Sequence, residues 1–201
     1  MEFAVCSLIL MPLFLGISAL GLALVREILV SQVCRDSGHM YANGVDFSQT
    51  STKNLLTTIG GSLKLGPTQT NSAVILTTVT YITQSICSAA KLSGNSCTNL
   101  NHYVITRQIQ IGGAGNITSR FGSPPTADFA DSQGNVSQNA YLTDVGDQTI
   151  CPFTQDSTSQ FTINSFQQGN QFTYSSEVTV IDHSLDWSGF IGSKTAASAI
   201  F

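Results

Sequence analysis

Residues 3–25 read FAVCSLILMPLFLGISALGLALV, 23 consecutive positions without a charged side chain. At about 1.5 Å per residue a helix of that length covers roughly 34 Å, against about 30 Å for the hydrocarbon core of a bilayer. The stretch therefore reads as a helix that sits in a membrane or among copies of itself. A cleavable signal peptide would carry a shorter apolar region, with a basic stretch before it and a small-residue cleavage site after it. Nothing basic precedes this run. Beyond it the chain continues through Arg26 and Glu27 into ILVSQVCRDSGHMYA, where Ile28, Leu29, Val33 and Met40 keep a helical rhythm. Asn43 and Gly44 are breakers, so residues 1–43 are expected to form one transmembrane and assembly helix about 60 Å long.

Three features inside this helix call for a reason. Pro12 removes a backbone donor, and Gly16 and Gly21 weaken the following turns. They are either contact points where a second helix approaches closely, or places where the helix bends as it moves from lipid into a packed core. Glu2 puts a carboxylate at the edge of the apolar run, where it must reach water or meet a cation, such as the amino group of a neighbouring chain. Arg26 follows the span, which by the positive-inside rule would leave the N-terminus outside. A short basic leader, removed before Met1, would reverse that orientation and send the remainder out of the cytoplasm.

The first 42 residues, MEFAVCSLILMPLFLGISALGLALVREILVSQVCRDSGHMYA, resemble the start of TadE/TadG-like proteins of the tight-adherence pilus system, a branch of the type IV pilin-like families. The likeness rests on the Glu2-Phe3-Ala4 opening, the long apolar helix, and the amphipathic stretch that leads to Tyr41-Ala42. It implies a prepilin peptidase that trims a basic leader, and a helix that anchors the chain in the inner membrane and then drives assembly. The head would lie outside the membrane, and the chain would be a structural subunit of a type IV pilus-like filament at the cell surface. Its partners would be copies of itself and the pilus assembly machinery. A low-copy minor pilin or pseudopilin that primes or caps the filament has the same features. A single-span surface adhesin or glycan-binding module is the alternative from another class. The common pilin pattern has glutamate at the fifth mature position and this chain has it second, so either the cleavage point differs or part of the mature N-terminus is missing.

After Gly44 the composition turns to Ser and Thr, and residues 44–201 read as an extracytoplasmic β-rich domain. Leu55, Leu56 and Ile59 at helical spacing before Gly60-Gly61 predict a short helix over residues 50–59. The β-branched segment SAVILTTVTYIT (72–83) predicts a strand. HYVITRQIQI (102–111) alternates Tyr103, Ile105, Ile109 and Ile111 against Thr106, Gln108 and Gln110. QFTYSSEVTVI (171–181) alternates Phe172, Tyr174, Val178 and Val180 against Thr173, Ser175, Glu177 and Thr179. Both predict half-buried antiparallel strands with one wet face. Residues 112–158 hold most of the Gly, Pro and Asp and read as a long loop insertion, with a short strand expected near 161–163. The expected fold class is α+β: a long hydrophobic helix followed by a small antiparallel sheet packed on its upper part.

Charged residues make up 10% of the 201, far below the roughly 25% of a soluble globular chain, and polarity is carried by Ser, Thr, Asn and Gln. That is the surface of an exported protein. The net charge of −4, with eight scattered Lys and Arg, leaves no basic patch for nucleic acid. Of five cysteines, Cys87 and Cys97 bracket a short polar segment that a disulfide could close, and Cys34 would then be left to pair with Cys151. Cys6, inside the apolar run, is the odd one out.

No residues form a recognisable catalytic frame. His39, His102 and His183 are far apart in the chain, there is no nucleophile elbow, and Gly112-Gly113-Ala114-Gly115 is not followed by a helix. The chain is therefore read as a non-enzyme, with no catalytic residues, cofactor or metal. Asp128, Asp131, Asp144 and Asp147 could offer oxygen ligands to calcium, but their spacing departs from the twelve-residue calcium loop and reads as a solvated loop. Asn116-Ile-Thr and Asn135-Val-Ser fit the N-glycosylation frame, and the Ser/Thr runs offer O-glycan positions. Trp187, Phe190 and Phe201 mark an apolar tail that either closes the core or meets another subunit.

Overall fold

The computed structural model describes residues 2–92, 96–113, 117–149, 172–181 and 194–201, with side chains from Ser7 onward. Helix α1 runs unbroken over Glu2–Ala42, through Pro12. Its end is a Schellman motif: Val45 N–H donates to the Met40 carbonyl and Gly44 N–H to the Tyr41 carbonyl, with Gly44 at φ +84°. The Asn43 side-chain amide adds a bond to the His39 carbonyl. Val45 and Met40, which this motif brings together, both pack against the main core.

Four described strands form an antiparallel sheet in the order β2-β1-β3-β4: β1 Ser72–Tyr81, β2 Tyr103–Gly112, β3 Phe172–Ile181 and β4 Lys194–Ile200. Only the last seven-residue strand went unread in the sequence, since KTAASAI has little β-branched or aromatic content. Short helices α2 (Thr50–Ile59), α3 (Gln84–Ala89) and α4 (Gln138–Thr143) join them.

The upper part of α1 lies across β3 and β4. Val30, Val33, Cys34, Ser37, Gly38 and Tyr41 are buried at intervals of three and four, the stripe of a helix with one face on a core. On the sheet they meet Val74, Leu76, Val178 and Val180, while Phe47, Leu56, Leu63 and Leu65 close the core from the α2 side. Ser176, Ala197 and Ala199 face the helix with short side chains, which lets the two backbones come close. Cys34 Sγ donates to the Ser176 carbonyl at 3.1 Å, and Ser37 Oγ meets Ser176 Oγ at 2.8 Å.

Two expectations about the sheet are corrected. Thr78 pairs with Arg107 but Val79 pairs with Ile105, so Thr106 is an extra residue in β2, a β-bulge. The bulge flips the side-chain alternation. Ile109 and Ile111 face α1, whereas Ile105 joins Val79 and Phe121 on the opposite face. Nor is that second face wet: residues 117–122 cross it as a strap, with Ile117 and Phe121 buried against Ala73, Ile75 and Val79. Polar residues expected to meet water hold the strap instead. Gln110 Nε2 donates to the Ile117 carbonyl and Gln108 Nε2 to the Gly122 carbonyl. The Glu177 carboxylate accepts from Ser119 Oγ and from Arg120 N–H. β1 is consequently buried on both faces from Ser72 to Thr80.

Within the insertion, the described residues 117–149 hold two 3₁₀ turns and α4. Cys87, inside α3, forms the expected disulfide with Cys97. Together with Ile82, Val104 and Leu142 they build a small second core that anchors α4. The buried Asn99 ties this core to the next turn, donating through Nδ2 to the Tyr141 and Asp144 carbonyls. The strand expected near 161–163 lies outside the described residues.

Candidate functional site: the apolar helix beyond the sheet

Below Val30 the character of α1 changes. From Leu8 to Ile28 its large apolar side chains are exposed, Leu8 at 77% and Phe14 at 69%. An 18-residue window of this helix reaches a mean hydropathy of 2.5, with none of it buried among the described residues. Unlike the stripe above, the lower helix is apolar on every side, so no single face marks where one neighbour would sit. The helix is long and apolar enough to cross a membrane. Exposing that surface to water would cost about 25 cal/mol for each Å², so the stretch requires lipid or another apolar surface around it.

The residues singled out along the helix fall into two groups. A methyl group built on Gly16 or Gly21 meets no atom of the described residues within 4 Å beyond the helix's own backbone. Among the described residues nothing requires their smallness. Ser18 Oγ turns back to the Phe14 carbonyl at 2.9 Å, so its hydroxyl is satisfied without leaving the helix. Arg26 is half-buried one turn below Val30, where the packed stripe begins. The side chains of Glu2, Phe3 and Cys6 lie outside the described residues.

Cys34 is a free, buried thiol; the bridge expected between it and Cys151 falls outside the described residues. Its sulfur is turned into the helix–sheet seam and engaged by Ser176. Cys151, Asn116, His183, Trp187 and Phe190 lie outside the described residues. Phe201 packs its ring on His39 with centroids 4.5 Å apart, so this part of the apolar tail closes onto α1. Asn135 is half-buried and gives its side-chain amide to Asp131 Oδ2 at 2.7 Å.

A second surface feature lies where α1 stops short of covering the sheet. Tyr41, Thr78, Arg107, Phe172 and Tyr174 line an open groove of about 260 Å³. Tyr41 is fixed there by a 2.7 Å bond between its hydroxyl and Thr78 Oγ1, and Tyr174 meets its ring edge-on at 5.4 Å. Arg107, in the bulge, reaches Asp46 at 2.8 Å. Asp46 is held below the usual carboxylate range first by the Ser48 backbone N–H and hydroxyl and then by Arg107. No local pattern marks this groove, because its lining comes from α1, three strands and the loop after α1.

Chemically the described surface is spare. His102 Nδ1 is bonded to the Leu100 carbonyl, and His39 stacks on Phe201. Among the described residues no three His, Cys, Asp or Glu side chains are already gathered into a metal cage. No known protein family, no characterised protein and no solved structure matches the chain.

Proposed function

We propose that this chain is a structural subunit of a type IV pilus-like extracellular filament, of the TadE/TadG-like kind. The observation that carries the reading is the division of α1: its upper stripe is buried on its own sheet, while residues 8–28 are apolar all round and covered by none of the described residues. In the inner membrane lipid would cover that surface, and in the filament the lower helices of other subunits would. Gly16 and Gly21, idle among the described residues, then serve as close-approach points between helices, and Pro12 eases the passage from lipid to filament. The head, with its disulfide and uncharged polar surface, tiles the outside. Partners in this reading are copies of the chain, the assembly machinery and a prepilin peptidase. A catalytic role has no place in it.

A second reading, a single-span surface adhesin, draws on the aromatic groove at Tyr41, Phe172 and Tyr174, whose rings and hydroxyls suit a glycan. One experiment separates the two. Residues 3–25 are replaced by an unrelated apolar span of equal length, and sheared surface material is inspected by electron microscopy with mass spectrometry of its N-terminus. A filament subunit loses its filaments on replacement, and the native sample yields the chain with a trimmed N-terminus as the main component. Surface function that survives the replacement would instead establish the anchor-only reading. Substoichiometric copies in otherwise intact filaments would assign the chain as a minor pilin.

A further inference from the structure

The two edges of the sheet end differently. Along β2 the outer edge is closed by backbone from later in the chain: Gln108 N–H donates to the Gly134 carbonyl, while Val136 and Thr149 N–H donate to the Thr106 and Tyr103 carbonyls. Along the outer edge of β4 there is no such bond among the described residues. The register shows which groups stay bare. Phe201 and Tyr174 exchange both backbone bonds, and the pairing then runs without a shift from Ser175 opposite Ile200 to Ile181 opposite Lys194. In an antiparallel ladder only alternate residues bond to the neighbour. Ala199, Ala197 and Thr195 therefore turn their N–H and C=O toward β3, and Ile200, Ser198, Ala196 and Lys194 turn theirs outward. Such an edge is a template for another strand, and folds blunt it with prolines, bulges, charges or a covering segment. β4 has neither proline nor bulge, and its single charge, Lys194, stands at its first position. Ala196 and Ser198 are exposed and too small to obstruct a neighbour.

We propose that the outer edge of β4 binds an extended peptide segment of a partner protein, which joins the sheet as a fifth strand. Free N–H and C=O groups at every second residue are the complement of extended backbone, so main-chain bonds would supply the affinity. Lys194 favours an acidic residue opposite it. A second copy of this chain fits less well. Its β2 edge is closed, which leaves β4 against β4. Antiparallel pairing would reverse the second α1 and send the two apolar helices in opposite directions from the joined heads, which one membrane cannot accommodate. Parallel pairing in register would set the two copies of Lys194 side by side, and like charges there repel. The inference needs the lower helix to be embedded, and does not need the chain to polymerise.

The test is amide hydrogen exchange by NMR on the full chain in detergent micelles, with and without a synthetic peptide FTYSSEVTVI. That is the sequence of β3, which β4 already accepts on its inner side. The expected result is that the Ala196 and Ser198 amides, fast in the free chain, slow at least about tenfold at saturating peptide, while Ala197 and Ala199 hardly change. Ala196→Pro removes one outward donor without touching the ladder to β3, a placement that edge strands tolerate, and should abolish the effect. Ser198→Pro makes the same test if Ala196→Pro does not fold. No slowing with peptide, or equal slowing in a folded proline variant, would overturn the site. Amides at 196 and 198 that are already slow in dilute chain would overturn it as well, since the edge would then be covered from within. Protection that grows with the concentration of the chain itself would overturn the assignment to a foreign segment in favour of a second copy.

Discussion

The ring of Phe201 occupies the space that a side chain on Gly38 would need: a methyl group built on Gly38 overlaps the ring carbons of Phe201. Helix α1 and the end of β4 are thus fitted to each other at one point, sealed by backbone bonds in both directions between Phe201 and Tyr174. Gly to Ala inside a helix would ordinarily stabilise by about 0.5–1 kcal/mol. Here the ring must move, which should cost about 1–3 kcal/mol as overpacking does. Gly38→Ala is therefore expected to destabilise the chain, while the same change in a Phe201→Ala background should stabilise it. A double-mutant cycle by urea unfolding reads this change of sign directly; additivity of the two substitutions would refute the fit.

The strap over the second face depends on Glu177 in the same way. Its carboxylate satisfies Ser119 Oγ and Arg120 N–H from a strand that is otherwise buried there. Glu177→Leu fills similar space but leaves both donors bare, at a cost of about 1–3 kcal/mol each. Glu177→Gln keeps an acceptor and should lose markedly less. Limited proteolysis should show new cleavage within residues 117–122 in Glu177→Leu and little in Glu177→Gln.

How far the sequence disclosed the architecture depends on which physical signal each part used. Helix α1 was legible because 23 uncharged residues admit few other structures, and its end because Gly44 alone suits the left-handed position there. Helix α2 matched residues 50–59, and β1 and β3 were visible from β-branched runs and alternation. Alternation misplaced side chains in β2, since a bulge at Thr106 leaves no local mark when Thr suits a strand anyway, and it left to water a polar face of β3 that the strap covers. Strand β4 was hidden for a tertiary reason: Ala197 and Ala199 are small because α1 presses on them, and small residues weaken strand propensity. The strap had a faint signal in Ile117 and Phe121, two large apolar residues in a polar loop. The four aspartates were visible as a cluster, but that Asp147 alone among them would be fully buried without a partner was not, since nothing local distinguishes it from its neighbours.

The disulfide has a definite reach. Cys87 and Cys97 are ten residues apart, a loop for which chain-entropy arguments give about 2–3 kcal/mol of stabilisation. Their core includes Leu142 of α4, and Asn99 carries the connection on to Asp144. Cys87→Ser with Cys97→Ser should lower stability by about that amount. Amide hydrogen exchange should then rise in α3 and α4 while β1 and β3 stay protected. Uniform loss of protection across the sheet would contradict this division into a main and a satellite core.

Asp147 also fixes how stability should vary with pH. Its folded-state value of about 7 lies above the ordinary aspartate value of 3.8, so between those limits the folded chain holds a proton that the unfolded chain has released. Unfolding then releases that proton, and stability falls as pH rises. Asp128, also pushed up by burial and by Asp144, acts in the same direction, whereas Asp46 and Asp131 are lowered and act oppositely in the acid range. Raising pH from 5 to 8 should therefore lower the melting temperature, with Asp147 contributing on the order of 2–3 kcal/mol. Asp147→Asn, which cannot ionise, should flatten that dependence and be at least as stable as the parent at pH 8. A parent whose stability rises over this interval would show that Asp147 already has a counter-charge.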